Sequence, residues 1–229
     1  MVRMSVKPLL FALVLSFSSP LLAAERLLVC LGDSLTAGYG LDEGQAYPAL
    51  LEKALQPRWR VVNAGVSGDT SAGGLKRLDW VLRSQPDAVL VALGANDGLR
   101  GLDPQATEAN LMEAVKKIKA SGAQPYLAGL DLPTNLGAGY RRQFKAVYPR
   151  VAKALGVPLL GFLLKGVGGE PALNQADGMH PNEAGQIKVA AHVLAFLKPR
   201  LDALPPRARD SGGDAVKVLR RRDTAGAQP

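Results

Sequence analysis

The sequence contains few of the residues from which metal and redox sites are built. Of its 229 residues, only Cys30 is a cysteine and only His180 and His192 are histidines. One cysteine excludes a disulfide within the chain. Because Cys30 lies in an apolar run, RLLVCL, we expect a buried and unreactive thiol. Neither histidine has further ligands at the spacing of a zinc site, so we expect no metal and no cofactor.

Aromatic residues are also scarce, and the positive charge is concentrated at the two ends of the chain. Aromatics make up 5% of the residues, which leaves little material for stacking on bases. The formal net charge is +8. Residues 1–24 and 205–229 together hold eight of the basic groups and three of the acidic ones, so the net charge of residues 25–204 is only +3. A nearly neutral body lacks the electrostatic footprint of a nucleic-acid-binding protein. We therefore expect no nucleic-acid partner.

The first 24 residues have the composition of a secretory signal peptide. Arg3 and Lys7 form a charged start, residues 9–17 an apolar stretch, and residues 20–24, PLLAA, a small-residue end. The apolar stretch is short for a transmembrane helix. We predict cleavage after residue 24 and a periplasmic or secreted protein. An uncleaved membrane anchor is the alternative.

The other end, residues 205–229, mixes Pro, Gly, Arg and Asp with almost no apolar periodicity, and we predict a disordered basic tail. Its run KVLRRR, residues 217–222, is either simply solvated or makes weak contact with an anionic membrane or lipopolysaccharide. Residues 25–204 are then predicted to form one domain, which we expect to be a monomer.

Within that domain, continuously apolar runs alternate with amphipathic segments. The predicted strands are 26–31, one beginning at 60–62, 88–93, 124–130 and 157–160, and the predicted helices are 47–55, 70–82, 104–120, 140–155 and 181–197. This alternation predicts an α/β fold of three α/β/α layers around a five-stranded, mostly parallel sheet. In the last helix we expect one inward face, formed by Ile187, Ala190, Ala191, Leu194 and Leu197.

Polar residues follow the predicted strands at the carboxyl ends, where parallel sheets bind ligands. Ser34 follows the first strand in GDSL, Gly68 follows the second, and Asn96 follows the third. The backbone N–H of Gly68 and the amide of Asn96 could donate to an oxyanion. Each residue also has a purely structural explanation: a helix cap, a glycine with positive φ, and a turn.

The second chemical signal is the loop that contains Asp177 and His180. A serine nucleophile needs a positioned base, and the base needs an acceptor that orients it. Ser34, His180 and Asp177 could supply the nucleophile, the base and the support. Without Ser34, a helix cap beside a surface histidine would explain this loop equally well.

Taken together, the segments GDSLTAGYGL, NAGVSGDTSAGG, LGANDGLRGL and DGMHPNEAG resemble, in order, the four signature blocks of the SGNH (GDSL) hydrolase superfamily. They are similar to its bacterial branch of multifunctional thioesterase I, lysophospholipase and arylesterase proteins. The resemblance implies a flavodoxin-like fold and a triad of Ser34, Asp177 and His180. It implies an oxyanion hole of Ser34, Gly68 and Asn96. It covers about residues 25–204 and not the tail.

The resemblance also implies a mobile acyl-binding wall in residues 131–140, DLPTNLGAGY, with Leu132, Pro133 and Leu136 as substrate-binding candidates. An ordinary surface loop is the alternative. Residues 162–164 could form the opposite wall or belong to the core.

The predicted function is hydrolysis of small-molecule esters through an acyl-enzyme, with aryl esters, lysophospholipids and acyl thioesters as substrates. Two alternatives stay open. One is a carbohydrate O-acetyl esterase of the cell envelope with the same triad. The other is a non-catalytic envelope or lipid-binding protein that keeps the fold and uses the basic tail.

Overall fold

Five parallel strands form the centre of the computed structural model, which describes residues 25–205. The strands are β1 (Arg26–Gly32), β2 (Trp59–Gly65), β3 (Ala88–Ala92), β4 (Gln124–Gly129) and β5 (Leu159–Phe162). Their order across the sheet is β2-β1-β3-β4-β5, and every neighbouring pair is parallel. The predicted α/β fold is confirmed. The last strand lies two residues later than predicted.

The continuous apolarity of β1 and β3 follows from their central position. Val29 of β1 pairs with Val62 on one side and with Val89 on the other. No residue from Leu28 to Leu31 of β1 is measurably exposed, and every residue of β3 is buried. Strands buried on both faces cannot alternate apolar and polar residues, since every side chain enters the core.

Seven α-helices lie within residues 25–205 and cover the sheet: α1 (Ser34–Ala37), α2 (Tyr47–Leu55), α3 (Ser71–Leu82), α4 (Ala95–Leu99), α5 (Pro104–Ala120), α6 (Ala138–Leu155) and α7 (Glu183–Asp202). Several begin at sequence signals for a helix start. The side chains of Asp33, Thr70, Asp103 and Asn182 each accept a backbone N–H in the first turn of the helix they precede.

The buried face of α7 differs from the predicted one at two positions, whereas Ala190 and Leu197 are buried as predicted. Ile187 is 56% exposed and Ala191 is exposed, whereas Val189 and Val193 are buried. Gln186 explains the rotation, because it lies on the buried stripe and its side-chain oxygen accepts from the N–H of Tyr47 at 2.9 Å. Gln186 thus has the buried position that the apolar pattern predicted for Ile187, and it provides a hydrogen-bond acceptor for the first backbone N–H of α2.

The predicted signal peptide, residues 1–24, and the predicted tail beyond Pro205 lie outside the described residues. The limits of the domain therefore stay a prediction. Among the helices of residues 25–205, none is long and apolar enough to span a membrane.

Candidate active site

The site lies at the carboxyl edge of the sheet, where the strand order reverses. β1 and β3 are neighbours in the sheet, but the chain visits the outer strand β2 between them. The connections leaving β1 and β3 therefore diverge to opposite faces and open a crevice. Ser34, Gly68 and Asn96 follow β1, β2 and β3, and all three line the cavity in this crevice.

Ser34 is presented by a sharp turn from β1 into α1. A Cβ on Gly32 would collide with the Thr36 side chain and meet the Ala92 carbonyl oxygen at 3.0 Å, so the turn requires glycine. Asp33 is buried, and its Oδ1 accepts from the N–H of Leu35 at 3.0 Å. Burial raises the pKa of Asp33 to about 6, partly opposed by that hydrogen bond.

Ser34, His180 and Asp177 form a continuous hydrogen-bonded relay. Ser34 Oγ lies 2.9 Å from His180 Nε2, and His180 Nδ1 lies 2.6 Å from Asp177 Oδ2. Asp177 Oδ1 accepts from the N–H groups of Met179 and His180 at 2.9 and 3.0 Å. The N–H of His180, its side chain and the N–H of Met179 lower the pKa of Asp177 to about 2.

The protonation of Asp177 determines the tautomer of His180. An ionised carboxylate can only accept, so Nδ1 of the neutral imidazole carries the hydrogen and donates it to Asp177. Nε2 is then the acceptor that faces the Ser34 hydroxyl. This is the arrangement that a general base for Ser34 requires.

The oxyanion candidates Gly68 and Asn96 line the same cavity as Ser34. Gly68 has φ +82°, which favours glycine, and it lies two residues before the Thr70 cap of α3. Asn96 donates one N–H of its Nδ2 to the carbonyl oxygen of Asp69 at 2.9 Å. An amide nitrogen has two hydrogens, so this bond orients Asn96 and leaves the second hydrogen for a ligand.

Several residues that support the site were not selected from the sequence. Arg77 donates from Nε to Asp69 at 2.6 Å and from Nη2 to the carbonyl oxygen of Gly32 at 2.9 Å. The buried Asp97 accepts from the N–H and the hydroxyl of Ser71 at 2.7 and 2.5 Å. These bonds join the segments after β1, β2 and β3. No local pattern marks such long-range partners, and only the charge of Arg77 and the position of Asp97 beside Asn96 offered a signal.

The cavity beside Ser34 has a volume of about 590 Å³ and a mainly apolar lining. Leu132 and Pro133 of the predicted wall line it, together with Phe162 and Leu164. Leu136 is not among the lining residues. It ends a short 3-10 helix and packs against the hydrophobic core, so the structure does not bring it to the cavity.

The wall residue Leu132 is held by polar bonds behind it. Its carbonyl oxygen accepts from Arg141 Nε at 2.6 Å, and its N–H donates to Asp131 at 2.8 Å. Asp131 also pairs with Lys145 at 3.0 Å. Burial raises the pKa of Asp131, but the bonds from Lys145 and from the Leu132 N–H outweigh this effect, so the pKa is lowered. Within residues 25–205, no cluster of His, Cys, Asp or Glu could hold a metal ion.

A serine, histidine and aspartate in relay, with nearby N–H donors and an apolar cavity at the carboxyl edge of a parallel sheet, define the class of serine hydrolases with an α/β/α fold. Comparison with known proteins narrows this class. Residues 30–187 match the GDSL-like Lipase/Acylhydrolase family. The chain belongs to that family, and the resemblance inferred from its motifs is confirmed.

Named relatives agree with this assignment. The chain is 46% identical to "Thioesterase 1/protease 1/lysophospholipase L1" of Escherichia coli K12, over 84% of this chain and 91% of that protein. It is 40% identical to the "Arylesterase" of Vibrio mimicus, over 84% and 98%. The structure described as "Crystal Structure of TesA" superposes with a TM-score of 0.74 at 44% identity, covering 76% of this chain and 99% of that one. The chain is thus a hydrolase with esterase function.

Proposed function

We propose that Ser34, His180 and Asp177 hydrolyse carboxylic esters and thioesters through an acyl-enzyme, with Ser34 as nucleophile. The observation that carries the proposal is the relay itself, with 2.9 Å between Ser34 Oγ and His180 Nε2 and 2.6 Å between His180 Nδ1 and Asp177 Oδ2. Both distances lie within hydrogen-bond reach, and the base is oriented by a carboxylate of lowered pKa.

Two half-reactions follow. Ser34 Oγ attacks the carbonyl carbon while its proton moves to His180 Nε2, and Asp177 stabilises the imidazolium. The bond to the leaving oxygen or sulfur then breaks, and that atom takes the proton from His180. In the second half-reaction, water loses a proton to His180 and attacks the carbonyl carbon of the acyl-enzyme. The bond from that carbon to Ser34 Oγ then breaks, Ser34 Oγ takes the proton from His180, and the acid is released.

The negative charge in both tetrahedral intermediates falls on the former carbonyl oxygen. We propose that the N–H of Ser34, the N–H of Gly68 and the free amide hydrogen of Asn96 receive it. Two of these donors are held in place before the reaction, because α1 fixes the N–H of Ser34 and the bond to Asp69 orients the amide of Asn96. Preorganised donors need no rearrangement as the charge develops.

For the substrates we propose aryl esters, lysophospholipids and acyl thioesters. A cavity of about 590 Å³ lies in the usual range for a small-molecule site and exceeds what an acetyl group needs. Leu132 and Pro133 provide an apolar wall for an acyl chain. The names of the relatives include thioesterase, lysophospholipase and arylesterase.

We also propose a periplasmic or secreted monomer with one hydrolase domain over residues 25–204, released by cleavage after residue 24. The charged, apolar and small-residue order of residues 1–24 supports this address. The basic run 217–222 supports weak contact of the tail with anionic membrane or lipopolysaccharide.

The function is tested with p-nitrophenyl esters of increasing acyl length, with lysophosphatidylcholine, and with Ser34→Ala as control. We expect the wild type to hydrolyse esters with medium and long acyl groups. Ser34→Ala should hydrolyse none of these esters and should not be labelled by a fluorophosphonate. Release of acetate alone would favour the carbohydrate O-acetyl esterase. Inertness toward every ester would favour a non-catalytic protein.

The oxyanion role of Asn96 gives a quantitative prediction. Asn96→Ala removes one donor to the developing charge, which costs about 3 kcal/mol of transition-state stabilisation and lowers kcat by roughly a hundredfold or more. KM should change little, since the charge is absent from the bound ester. Steady-state kinetics measure both constants, and a fully active variant would reject this role.

A further inference from the structure

Most of the large apolar side chains that are exposed lie on segments at the edge of the sheet that holds the cavity. Within residues 25–205 six such side chains are exposed, and five lie on segments that follow strands at the carboxyl edge: Tyr39, Val66, Leu99, Leu102 and Met179. Tyr39 is 54% exposed, Met179 is 45% exposed, and both line the cavity. Exposed apolar surface that borders a binding cavity marks a place where a ligand makes contact.

The proposed reaction determines which part of an ester can lie beside these two residues. His180 Nε2 takes the proton of Ser34 Oγ, which is 2.9 Å away, and must then give it to the leaving oxygen. That oxygen must therefore come within about 3 Å of Nε2. The alcohol part of the ester consequently projects past the imidazole ring, whereas the acyl part remains bonded to Ser34.

Tyr39 packs beside the imidazole at this place, and Met179, the residue before His180, lines the same cavity. The ring centroids of Tyr39 and His180 are 4.8 Å apart, with the ring planes inclined by 42°. Met179 precedes His180 in the chain, and its N–H donates to Asp177 at 2.9 Å. The acyl wall formed by Leu132 and Pro133 lies on a different segment, after β4. Acyl and alcohol parts therefore meet different residues.

The position of Tyr39 is held by the same residue that holds the catalytic loop. Gln175 donates from Nε2 to the carbonyl oxygen of Tyr39 at 2.6 Å, and its own N–H donates to the carbonyl oxygen of His180 at 2.8 Å. The N–H of Tyr39 donates to the carbonyl oxygen of Ser34 at 3.1 Å. A side chain on Gly40 would collide with the Gln175 amide, so the two segments pack closely. These bonds fix the backbone of Tyr39 beside the nucleophile and the base.

We propose that Tyr39 and Met179 form a leaving-group site that selects esters of alcohols carrying an aromatic ring. An aromatic ring can pack against the Tyr39 ring in an offset or edge-to-face arrangement, and the Met179 sulfur makes favourable contact with an aromatic ring. Removing the ring contact should reduce selectivity roughly two- to tenfold. This inference rests on the proposed function, because His180 locates the leaving group only if it donates the proton.

The test compares two esters with one acyl group, benzyl butyrate and cyclohexylmethyl butyrate. Their leaving alcohols are both primary and of similar size, but only one contains an aromatic ring. Both esters form the same butyryl-enzyme, so the ratio of their kcat/KM values reports only steps that involve the alcohol part. We expect the wild type to prefer the benzyl ester, and Tyr39→Ala to lower this preference roughly two- to tenfold.

Three further variants separate the aromatic contact from other effects. Tyr39→Phe keeps the ring and should keep the preference, whereas Tyr39→Leu keeps apolar contact and should lose it. Leu102→Ala removes another exposed apolar side chain at the same edge, outside the cavity lining, and should change nothing.

If Tyr39→Ala lowered kcat/KM equally for both esters, Tyr39 would act only as a support for His180. That result would overturn the leaving-group site. A wild type without preference would overturn it as well. Failure of the proposed function would look different, since Ser34→Ala would then retain its activity on both esters.

Discussion

Two carboxyl groups near Ser34 have opposite environments. Asp177 lies on a partly exposed loop, where the hydrogen bonds it accepts lower its pKa to about 2, so it is ionised at neutral pH. Asp33 is buried, and its Oδ2 has no hydrogen-bond partner. Desolvation raises its pKa to about 6, the hydrogen bond from the Leu35 N–H opposes this rise, and the charge of Asp69 adds to it. Ionised Asp33 therefore costs stability, whereas ionised Asp177 is stabilised.

Because Asp33 is buried, we predict that its ionisation lowers the free energy of unfolding as the pH rises. Its folded-state pKa of about 6 lies above the ordinary value of 3.8, so the folded protein binds more protons than the unfolded chain between these values. The contribution of Asp33 to stability is thus highest below pH 4 and declines as the pH rises through 6. Asp33→Asn lacks this titration, so its stability relative to the wild type should rise by up to roughly 3 kcal/mol across that window.

Denaturant unfolding of both proteins at several pH values from 4 to 7 measures this difference. The buried amide of the variant adds an offset that does not depend on pH, so only the slope is diagnostic. A difference in unfolding free energy that stays constant from pH 4 to pH 7 would contradict the assignment.

From the sequence, single candidate residues could be selected only where the chemistry restricts the choice. Ser34, His180 and Asp177 could be selected because few residue types can act as nucleophile, base and support, and the chain has only two histidines. Tyr39 and Gln175 could not be selected, since a tyrosine and a glutamine at loop positions carry no pattern. Their significance arises from a contact across 136 residues of sequence.

At the level of elements, α3 joins the three segments that form the site. Arg77, in its middle, bonds to Asp69 and to the carbonyl oxygen of Gly32. The same Asp69 supplies the carbonyl oxygen that orients Asn96. A Cβ on Gly73 would meet Asp69 Oδ1 at 2.5 Å, so the glycine leaves room for this carboxylate. Arg77 is thus a positioning residue between the turn at Ser34 and the oxyanion candidates.

This connection predicts a kinetic defect in Arg77→Gln. Loss of the ion pair frees Asp69 and relaxes Asn96, so kcat should fall about tenfold or more while KM stays nearly constant. Lys76→Gln is the matched control, because Lys76 is the exposed neighbour on the same helix. Steady-state kinetics on a p-nitrophenyl ester provide the measurement.

A double variant distinguishes positioning from general damage to the fold. If Arg77 acts through Asn96, the Arg77→Gln and Asn96→Ala effects on kcat should combine to less than their product. Fully multiplicative effects, or equal defects in Arg77→Gln and Lys76→Gln, would argue against the connection.

The boundaries of two helices were predicted accurately, whereas the predicted face of α7 was partly wrong. The predicted helices 47–55 and 104–120 agree with α2 and α5, because Pro48 and Pro104 lie in first turns where proline is favoured. The predicted face of α7 was wrong at Ile187 and Ala191, because the buried Gln186 accepts the first N–H of α2. A pattern of apolar residues cannot reveal a polar side chain that is buried for a distant backbone group.

For the molecule as a whole, the two ends of the described chain meet away from the site. Arg26, at the start of β1, donates to the carbonyl oxygens of Leu204 and Pro205 at 2.8 and 3.1 Å. Its guanidinium carbon also lies 4.5 Å from the centroid of the Trp59 ring. Arg26 and Trp59 begin their strands, whereas Ser34 follows the carboxyl end of β1. The predicted leader and tail therefore join the domain at the edge opposite the cavity.

This separation predicts that hydrolysis and surface attachment can be removed independently. A chain ending at Pro205 keeps both bonds to Arg26, so its kcat/KM on a soluble short-chain ester should equal that of the full-length protein. Removing residues 206–229 also removes the basic run 217–222, which should abolish binding to anionic vesicles at low salt. Because screening weakens such attraction, binding by the full-length protein should itself decline as salt is added.

Co-sedimentation with anionic and neutral vesicles measures the attachment, and neutralising the run with Lys217→Gln, Arg220→Gln, Arg221→Gln and Arg222→Gln separates the effect of charge from the effect of tail length. Lower activity of the truncated chain on the soluble ester would mean that the tail acts at the cavity, and equal vesicle binding by all three proteins would place the attraction in the domain.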